Sequence, residues 1–506
     1  MWYKNTHTMM TFNYGTDTLT LGRAAALTRG TLHGIFTSEA RQNVIQSRGY
    51  VETIAKAGKA VYGINTGFGP LCDTQISTAE TNQLQENLLL THAVGVGAPI
   101  SKEITKLMLV CKVHALAKGY SGIRPEVIDR ILQFIEHDLI PVVPEQGSVG
   151  ASGDLAPLAH LFLPLLGEGE FWQEGTPVPA RDVLAKHGLA PLSLKAKEGL
   201  ALINGTQFIL AHAVMGLDKL QYLLDLADVA GAMSLEGFQG SAAPFREELH
   251  NLRPFSGSRQ VAARMRKLLQ NSENMQAHAD CERVQDPYSI RCMPQVHGAS
   301  RNAFNHLSEL TEIELNAVTD NPIILGESDT ISGGNFHGQP LAMALDYATL
   351  AAAELGNISD RRCYLLLEGK HGLPRLLTAN TGLNSGLMIP QYTAAALVSE
   401  NKSLCFPASA DSIPTSLGQE DHVSMGSISG RRFVQVLGNL EKILAIELIY
   451  GAQALEFRRP NRCSDWVEEN VALIREHVPK LEDDRLLHHD IQAMVALVQK
   501  RAFRVV

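Results

Sequence analysis

Hydrophobic side chains recur at helical spacing through most of the chain. The clearest case lies between Gly430 and Phe457, where leucine and alanine fall at intervals of three and four residues. This spacing predicts one long helix with a continuous apolar stripe, made of Leu437, Leu440, Leu444, Leu448, Ala452 and Leu455. Sequence rich in Ala, Leu, Glu and Met predicts further helices within residues 102–136, 207–235, 299–317, 341–369 and 388–403.

Patterns typical of β-strands are scarce. Two segments, residues 10–22 and 170–180, have the composition of short hairpins, which would be minor elements. No low-complexity linker, charge block or internal repeat divides the sequence, so the simplest prediction is a single continuous domain over residues 1–506. The predicted fold class is mainly α, a large elongated helical bundle with few short strands.

Composition narrows the classes of partner and location. The 506 residues include 45% hydrophobic and 19% charged residues, and the net charge of −9 argues against a nucleic-acid partner. No apolar run approaches the roughly 20 residues of a membrane helix, and the start MWYKNTHTMMTF lacks the features of a secretory signal. We therefore expect no membrane association and a cytoplasmic location. Seven scattered cysteines without C-x-x-C spacing predict reduced thiols and no metal site.

Common nucleotide-binding and hydrolase motifs are absent from the sequence. Neither G-x-x-x-x-G-K-[ST] nor G-x-G-x-x-G occurs, and H-E-x-x-H and G-x-S-x-G are missing as well. Nucleotide cofactors, metalloprotease chemistry and serine-hydrolase chemistry are therefore not indicated. Instead, three glycine-rich loops interrupt the helical sequence, at residues 62–69, 91–97 and 147–160. Glycine at this density indicates tight turns or close approach of backbones.

The third loop contains a tripeptide with unusual chemical potential, Ala151-Ser152-Gly153. The amide nitrogen of Gly153 can attack the carbonyl carbon of Ala151, and two dehydrations then give a methylidene-imidazolone, an electrophile that the standard side chains cannot offer. Small residues leave room for this ring closure. Because an Ala-Ser-Gly arises by chance in about a quarter of chains this long, the surrounding sequence has to decide whether it is used.

The sequence around the tripeptide, GSVGASGDLAPLAHL, resembles the signature of the histidine and phenylalanine ammonia-lyase family, which forms a methylidene-imidazolone at its Ala-Ser-Gly. The resemblance implies a helical bundle of the ammonia-lyase and fumarase-like type, a homotetramer with active sites shared among subunits, and no external cofactor. Further segments that resemble the family are YGINTGFG, GLALINGTQ, VQDPYSIRCMPQ, TDNPII, SGGNFHG and QEDHVSMG, which together span residues 62–426.

The same resemblance implies roles for individual residues. Tyr62 resembles the family's catalytic tyrosine, which removes a β-proton from the amino acid. Arg291 suits the substrate carboxylate, because a planar guanidinium can bind that group through two parallel hydrogen bonds. The other residues that the resemblance implies around the substrate and the electrophile are Asn204, Gln285, Tyr288 and Phe336.

Two further positions bear on which aromatic amino acid is the substrate. Thr91-His92 stands where the histidine branch usually has Ser-His, but some tyrosine lyases carry a similar histidine, so His92 does not decide. Glu420 stands where the branches for carbocyclic substrates usually place an amide. A carboxylate can accept the imidazole N–H, whereas beside a phenyl ring it would be a buried charge without a partner. Glu420 therefore favours L-histidine as the substrate. The expected reaction is elimination of ammonia from L-histidine, which gives trans-urocanate.

Alternatives remain open at this point. Tyrosine and phenylalanine ammonia-lyases and 2,3-aminomutases of the same family use the same electrophile and residues. A catalytically silent helical scaffold that only binds an amino acid is a second class, against which the intact tripeptide at 151–153 argues. A fumarase-like lyase acting on succinyl compounds shares the helical texture, but it leaves Glu420 and the context of the tripeptide unexplained.

Overall fold

Helices dominate the computed structural model, which describes residues 11–56, 61–67, 69–71, 74, 76–77, 80–279 and 283–506. The mainly α prediction is confirmed, with 19 α-helices and eight strands of two to four residues in that part of the chain. The helices are α1 (Leu21–Arg29), α2 (Ser38–Lys56), α3 (Thr81–His92), α4 (Lys102–Ala117), α5 (Pro125–Glu136), α6 (Leu155–Phe162), α7 (Ala180–Lys186), α8 (Glu198–Ile203), α9 (Gln207–Phe238), α10 (Glu247–Leu252), α11 (Ser256–Leu268), α12 (Glu273–Gln276), α13 (Tyr288–Arg291), α14 (Met293–Leu315), α15 (Gln339–Leu367), α16 (Met388–Leu404), α17 (Gly426–Glu456), α18 (Asp465–His477) and α19 (Leu487–Gln499).

The long apolar stripe forms one helix, as its spacing predicts. It lies on α17, and all six of its leucine and alanine side chains are buried. The helical stretch 102–136 is instead divided into α4 and α5. Gly119 and Gly122 adopt left-handed φ values of 81° and 66° in the connection, which an α-helix cannot accommodate, and Pro125 then starts α5 at a position that proline favours.

One of the two predicted hairpins is present. Residues 170–180 form an antiparallel pair joined at a two-residue turn, whereas the hairpin predicted for 10–22 is wrong over its described part. There the strand Thr11–Asn13 pairs in parallel with the strand His33–Ile35, which follows α1. The extended segment ends at Thr20, because its side chain caps the start of α1 by accepting from the Arg23 amide. The strands are β1 (Thr11–Asn13), β2 (His33–Ile35), β3 (Val96–Pro99), β4 (Pro144–Gln146), β5 (Glu170–Gln173), β6 (Thr176–Pro179), β7 (Ile323–Ile324) and β8 (Thr330–Ile331).

The described residues fall into two compact units. The first takes in residues from Met1–Met215, Ser308–Asp346 and Pro407–Arg431, and the second takes in the remaining stretches. The single continuous domain over residues 1–506 stays a prediction. Within the described part, no helix is both long and apolar enough to cross a membrane. Five of the seven cysteines are free thiols, and Cys72 and Cys281 lie outside the described residues.

Candidate active site

The Ala-Ser-Gly tripeptide lies in a tight turn just before α6, in the first unit. Ser152 and Gly153 have φ values of 52° and 78°. This is the left-handed region, which residues other than glycine rarely adopt. A Cβ on Gly153 would lie 2.1 Å from the carbonyl oxygen of Gly205, so only glycine fits at this position. The turn therefore holds its backbone in a strained and closely packed conformation.

The segment Asn204-Gly205 holds this turn from one side. The Gly205 amide donates to the Ser152 carbonyl at 3.3 Å, and the Asp154 amide donates to the Gly205 carbonyl at 2.8 Å. The ammonium of Lys112 donates to the carbonyl of Asn204 at 2.5 Å. Asn204 Oδ1 is buried and has no hydrogen-bond partner among the described residues. It therefore remains available as an acceptor next to the turn.

Two buried charged groups lie behind the turn. Asp154 Oδ2 accepts from the amides of Phe208 and Ile209, each at 3.0 Å, and so satisfies two donors at the start of α9. Burial raises the pKa of Asp154 to about 7 and lowers the pKa of Lys112 to about 7. Both shifts arise because desolvation disfavours the charged form of each group. The two groups therefore change protonation near neutral pH.

Replacing Asp154 by alanine is expected to lower the free energy of unfolding by about 1–3 kcal/mol, because α9 loses both N-terminal acceptor contacts. Asp154→Asn keeps one acceptor oxygen and should cost less.

Because the pKa of folded Asp154 is raised from 3.8 to about 7, the stability that its proton contributes is complete at low pH and is lost as pH rises through 7. Denaturant unfolding at about pH 5 and about pH 8 should show wild type losing stability relative to Asp154→Asn. An unchanged difference would contradict this assignment.

A cavity of about 390 Å³ in the first unit brings together four of the residues predicted from the sequence. Tyr62, His92, Ser152 and Glu420 all line it. A mostly apolar wall with a few convergent polar groups is typical of sites that bind small aromatic molecules. The apolar side chains of the wall include Ile76, Leu84, Leu88, Leu155, Leu200 and Ile203.

Glu420 is held by hydroxyl groups on both of its carboxylate oxygens. Ser152 Oγ donates to Oε1 at 2.9 Å, while Ser416 Oγ and Thr415 Oγ1 donate to Oε2 at 2.9 and 3.1 Å. Thr415 and Ser416 were not predicted from the sequence. The only signal for them was a Thr-Ser pair four and five positions before a carboxylate, in a loop that contains glycine.

Tyr62 and His92 line the same cavity from other elements. Tyr62 lies in the first glycine-rich loop, where its Oη accepts a long hydrogen bond of 3.5 Å from the amide of Gly69. Phe68 of this motif lies outside the described residues. His92 is the last residue of α3, and its Nδ1 lies 3.1 Å from Thr91 Oγ1. Burial lowers the pKa of His92, partly offset by the Leu88 carbonyl and the charge of Glu420, which favours the neutral ring near pH 7.

Seven predicted residues are absent from the described lining of this cavity. Three of them, Ala151, Gly153 and Asn204, lie in the turn or next to it, and the other four are Gln285, Tyr288, Arg291 and Phe336. Gln285, Tyr288 and Arg291 belong to the second unit, where Gln285 is exposed and Tyr288 is 72% exposed. Arg291 Nε donates to the carbonyl of Asp286 at 2.8 Å, and its guanidinium lies over the Tyr288 ring. Phe336, in the first unit, is half-buried in a turn before α15.

Comparisons of this sequence and structure with known proteins all indicate the same family. Residues 19–476 match the sequence model of a family described as aromatic amino acid lyase. The histidine ammonia-lyase of Sorangium cellulosum (strain So ce56) is 51% identical over 476 residues, covering 92% of this chain and 93% of that protein. Among solved structures, histidine ammonia-lyase from Trypanosoma cruzi is 40% identical, with a TM-score of 0.89 over 97% of this chain and 94% of that one. Tyrosine aminomutase from Streptomyces globisporus is 34% identical, with a TM-score of 0.92 over 98% of each chain.

Proposed function

This chain belongs to the aromatic amino acid lyase family, and we propose that it is a carbon-nitrogen lyase that converts L-histidine to trans-urocanate and ammonia. The observation that carries this proposal is the position of Glu420, whose carboxylate lines the cavity 2.9 Å from the hydroxyl of Ser152. The histidine ammonia-lyases among its relatives support the same substrate.

The turn at 151–153 fits a methylidene-imidazolone made from its own backbone. The left-handed conformations of Ser152 and Gly153 fold the chain back, and the close approach of Gly205 excludes any side chain larger than hydrogen at Gly153. The segment Asn204-Gly205 would hold the group from one side. Once formed, the group supplies an electrophilic carbon that makes the substrate amine a better leaving group. The proposal needs no external cofactor.

Polar residues of the cavity and of the segment next to the turn have distinct roles in this proposal. Tyr62 Oη, in its deprotonated form, takes up the β-proton of the substrate as the general base on the cavity wall. The Gly69 amide, which donates toward this oxygen, helps to keep it in place. Asn204 Oδ1, which has no partner among the described residues, is the acceptor next to the turn for the substrate amine. The apolar wall excludes water from the reacting atoms.

Recognition of the imidazole ring rests on Glu420 and His92. The carboxylate accepts a ring N–H of the substrate, a charge-assisted hydrogen bond that a phenyl or phenol ring cannot make at the same place. A substrate without this N–H leaves Oε1 of the half-buried carboxylate without a donor, and such a loss is a basis for discrimination. His92, at the end of α3, offers a second polar group to the ring.

The proposal includes a homotetramer with shared active sites, in which the exposed residues Gln285 and Tyr288, together with Arg291, complete a site of another subunit. Large apolar side chains exposed on the second unit support burial against further copies. Tyr347 and Leu350 on α15 are each about half exposed. A cytoplasmic location, the single domain and the absence of nucleic-acid and membrane partners belong to the same proposal.

The proposed function is tested by mixing the purified chain separately with L-histidine, L-phenylalanine and L-tyrosine. Each reaction is followed at the absorbance band of its unsaturated product, with ammonia measured in parallel. We expect product and an equal amount of ammonia from L-histidine alone. Product only from L-phenylalanine or L-tyrosine would contradict the substrate. Conversion to a β-amino acid without release of ammonia would instead identify a 2,3-aminomutase.

A further inference from the structure

Glu420 is held in the cavity by the loop that precedes it, residues 415–419. Ser416 and Leu417 have left-handed φ values of 49° and 55°, although neither is glycine. Backbone hydrogen bonds close the loop, with the Thr415 amide donating to the Glu420 carbonyl at 2.9 Å and the Gly418 amide to the Thr415 carbonyl at 3.0 Å. Left-handed residues other than glycine are costly and persist where the surrounding structure requires them.

The result of this conformation is a pair of hydroxyl donors on one carboxylate oxygen. Ser416 Oγ donates to Glu420 Oε2 at 2.9 Å, and Thr415 Oγ1 donates to the same oxygen at 3.1 Å, with the Glu420 carbonyl as a second, longer acceptor at 3.3 Å. Two donors on one oxygen fix the rotation of the carboxylate, so that Oε1 is directed at Ser152 Oγ, 2.9 Å away. Ser416 lines the cavity beside Glu420.

We propose that Thr415 and Ser416 are positioning residues that determine substrate specificity, by holding Oε2 of Glu420 so that Oε1 is presented to the imidazole N–H. The inference rests on the proposed function. It follows from the chemistry of the turn, because the hydroxyl of Ser152 leaves as water when the electrophile forms. Oε1 then loses its donor beside the electrophilic carbon and can accept a hydrogen bond from the bound substrate, while Oε2 keeps both of its own donors.

The structure offers matched variants for a test. Thr415→Val removes the donor with little change in shape, whereas Thr415→Ser keeps it. Ser416→Ala removes the second donor. Ser412→Ala is the control from the same loop, because the Ser412 hydroxyl accepts from the Val423 amide and makes no described contact with Glu420.

The expected result is a fall in kcat/KM for L-histidine of about tenfold in Thr415→Val. The fall should be about a hundredfold in the double variant that combines Thr415→Val with Ser416→Ala. Thr415→Ser and Ser412→Ala should stay within about twofold of wild type. The Kd for trans-urocanate, measured by calorimetry, should rise in the same order. Intact mass should remain lower by two water molecules than the translated sequence in every variant, because these hydroxyls orient Glu420 and take no part in forming the electrophile.

A double-mutant cycle separates positioning from a structural role. If Thr415 and Ser416 act through the carboxylate, their removal should add little once Glu420→Gln is present, whereas a structural role predicts additive losses. Additive losses, unchanged kinetics in Thr415→Val, or loss of the two-water mass difference would each overturn the inference. Wild-type protein that is inactive toward L-histidine would instead contradict the proposed function itself.

Discussion

Ser152→Ala is expected to abolish turnover of L-histidine, with a loss of at least about a thousandfold in kcat, while the protein stays folded. The exocyclic carbon of the proposed electrophile comes from the Ser152 side chain after its hydroxyl leaves, and alanine has no such leaving group. Among the described residues, the Ser152 hydroxyl makes one hydrogen bond, to Glu420 Oε1, which the substitution removes. That loss costs about 1 kcal/mol, a small part of the about 5–15 kcal/mol that stabilises most proteins.

Intact mass spectrometry and far-ultraviolet circular dichroism distinguish loss of chemistry from loss of fold. The wild-type chain should be lighter than its translated sequence by two water molecules, and the Ser152→Ala chain should lack at least the second dehydration. Ser403→Ala is a matched control, because Ser403 is exposed near the end of α16. It should keep both the mass difference and the activity. Turnover by Ser152→Ala at the wild-type rate would contradict the proposed electrophile.

Much of the fold could be predicted from periodicity, and the failures have physical causes. The stripe of α17 is unambiguous, because six apolar side chains repeat at helical spacing over eighteen residues or more and all become buried. The division between α4 and α5 depends on left-handed glycines, whose conformation composition alone does not reveal. The wrong hairpin at 10–22 reflects a competition between two local structures, which Thr20 decides by capping α1.

The candidate site shows a similar division. Motifs were sufficient to select Tyr62, His92, Ser152 and Glu420, which the structure places around one cavity. Residues that hold these cavity-lining groups in place could not be predicted from motifs. The hydroxyl contacts on Glu420 exist because neighbouring residues turn left-handed, and the buried Lys112 is defined by tertiary packing. Sequence therefore identifies the groups at the cavity surface more readily than the groups that hold them.

Glu420→Gln is expected to lower kcat/KM for L-histidine by about a hundredfold to a thousandfold. Glutamine has almost the same shape and keeps one acceptor oxygen, so the hydroxyls of Thr415 and Ser416 can still find partners by rotation. What the variant loses is the negative charge that strengthens the hydrogen bond to the imidazole N–H. The same change should reduce discrimination against L-phenylalanine, because placing a neutral amide beside a phenyl ring costs less free energy than placing a charged carboxylate there.

Steady-state kinetics with L-histidine and L-phenylalanine measure both effects, and intact mass shows whether the electrophile still forms. Asp421→Asn is the matched control, since it neutralises the adjacent, exposed carboxylate and should leave kcat/KM unchanged. A fall in kcat/KM with the two-water mass difference retained places the loss in substrate recognition. If Glu420→Gln keeps the wild-type kcat/KM for L-histidine, the carboxylate does not select the imidazole, and the choice of substrate has to rest on His92 and the shape of the apolar wall.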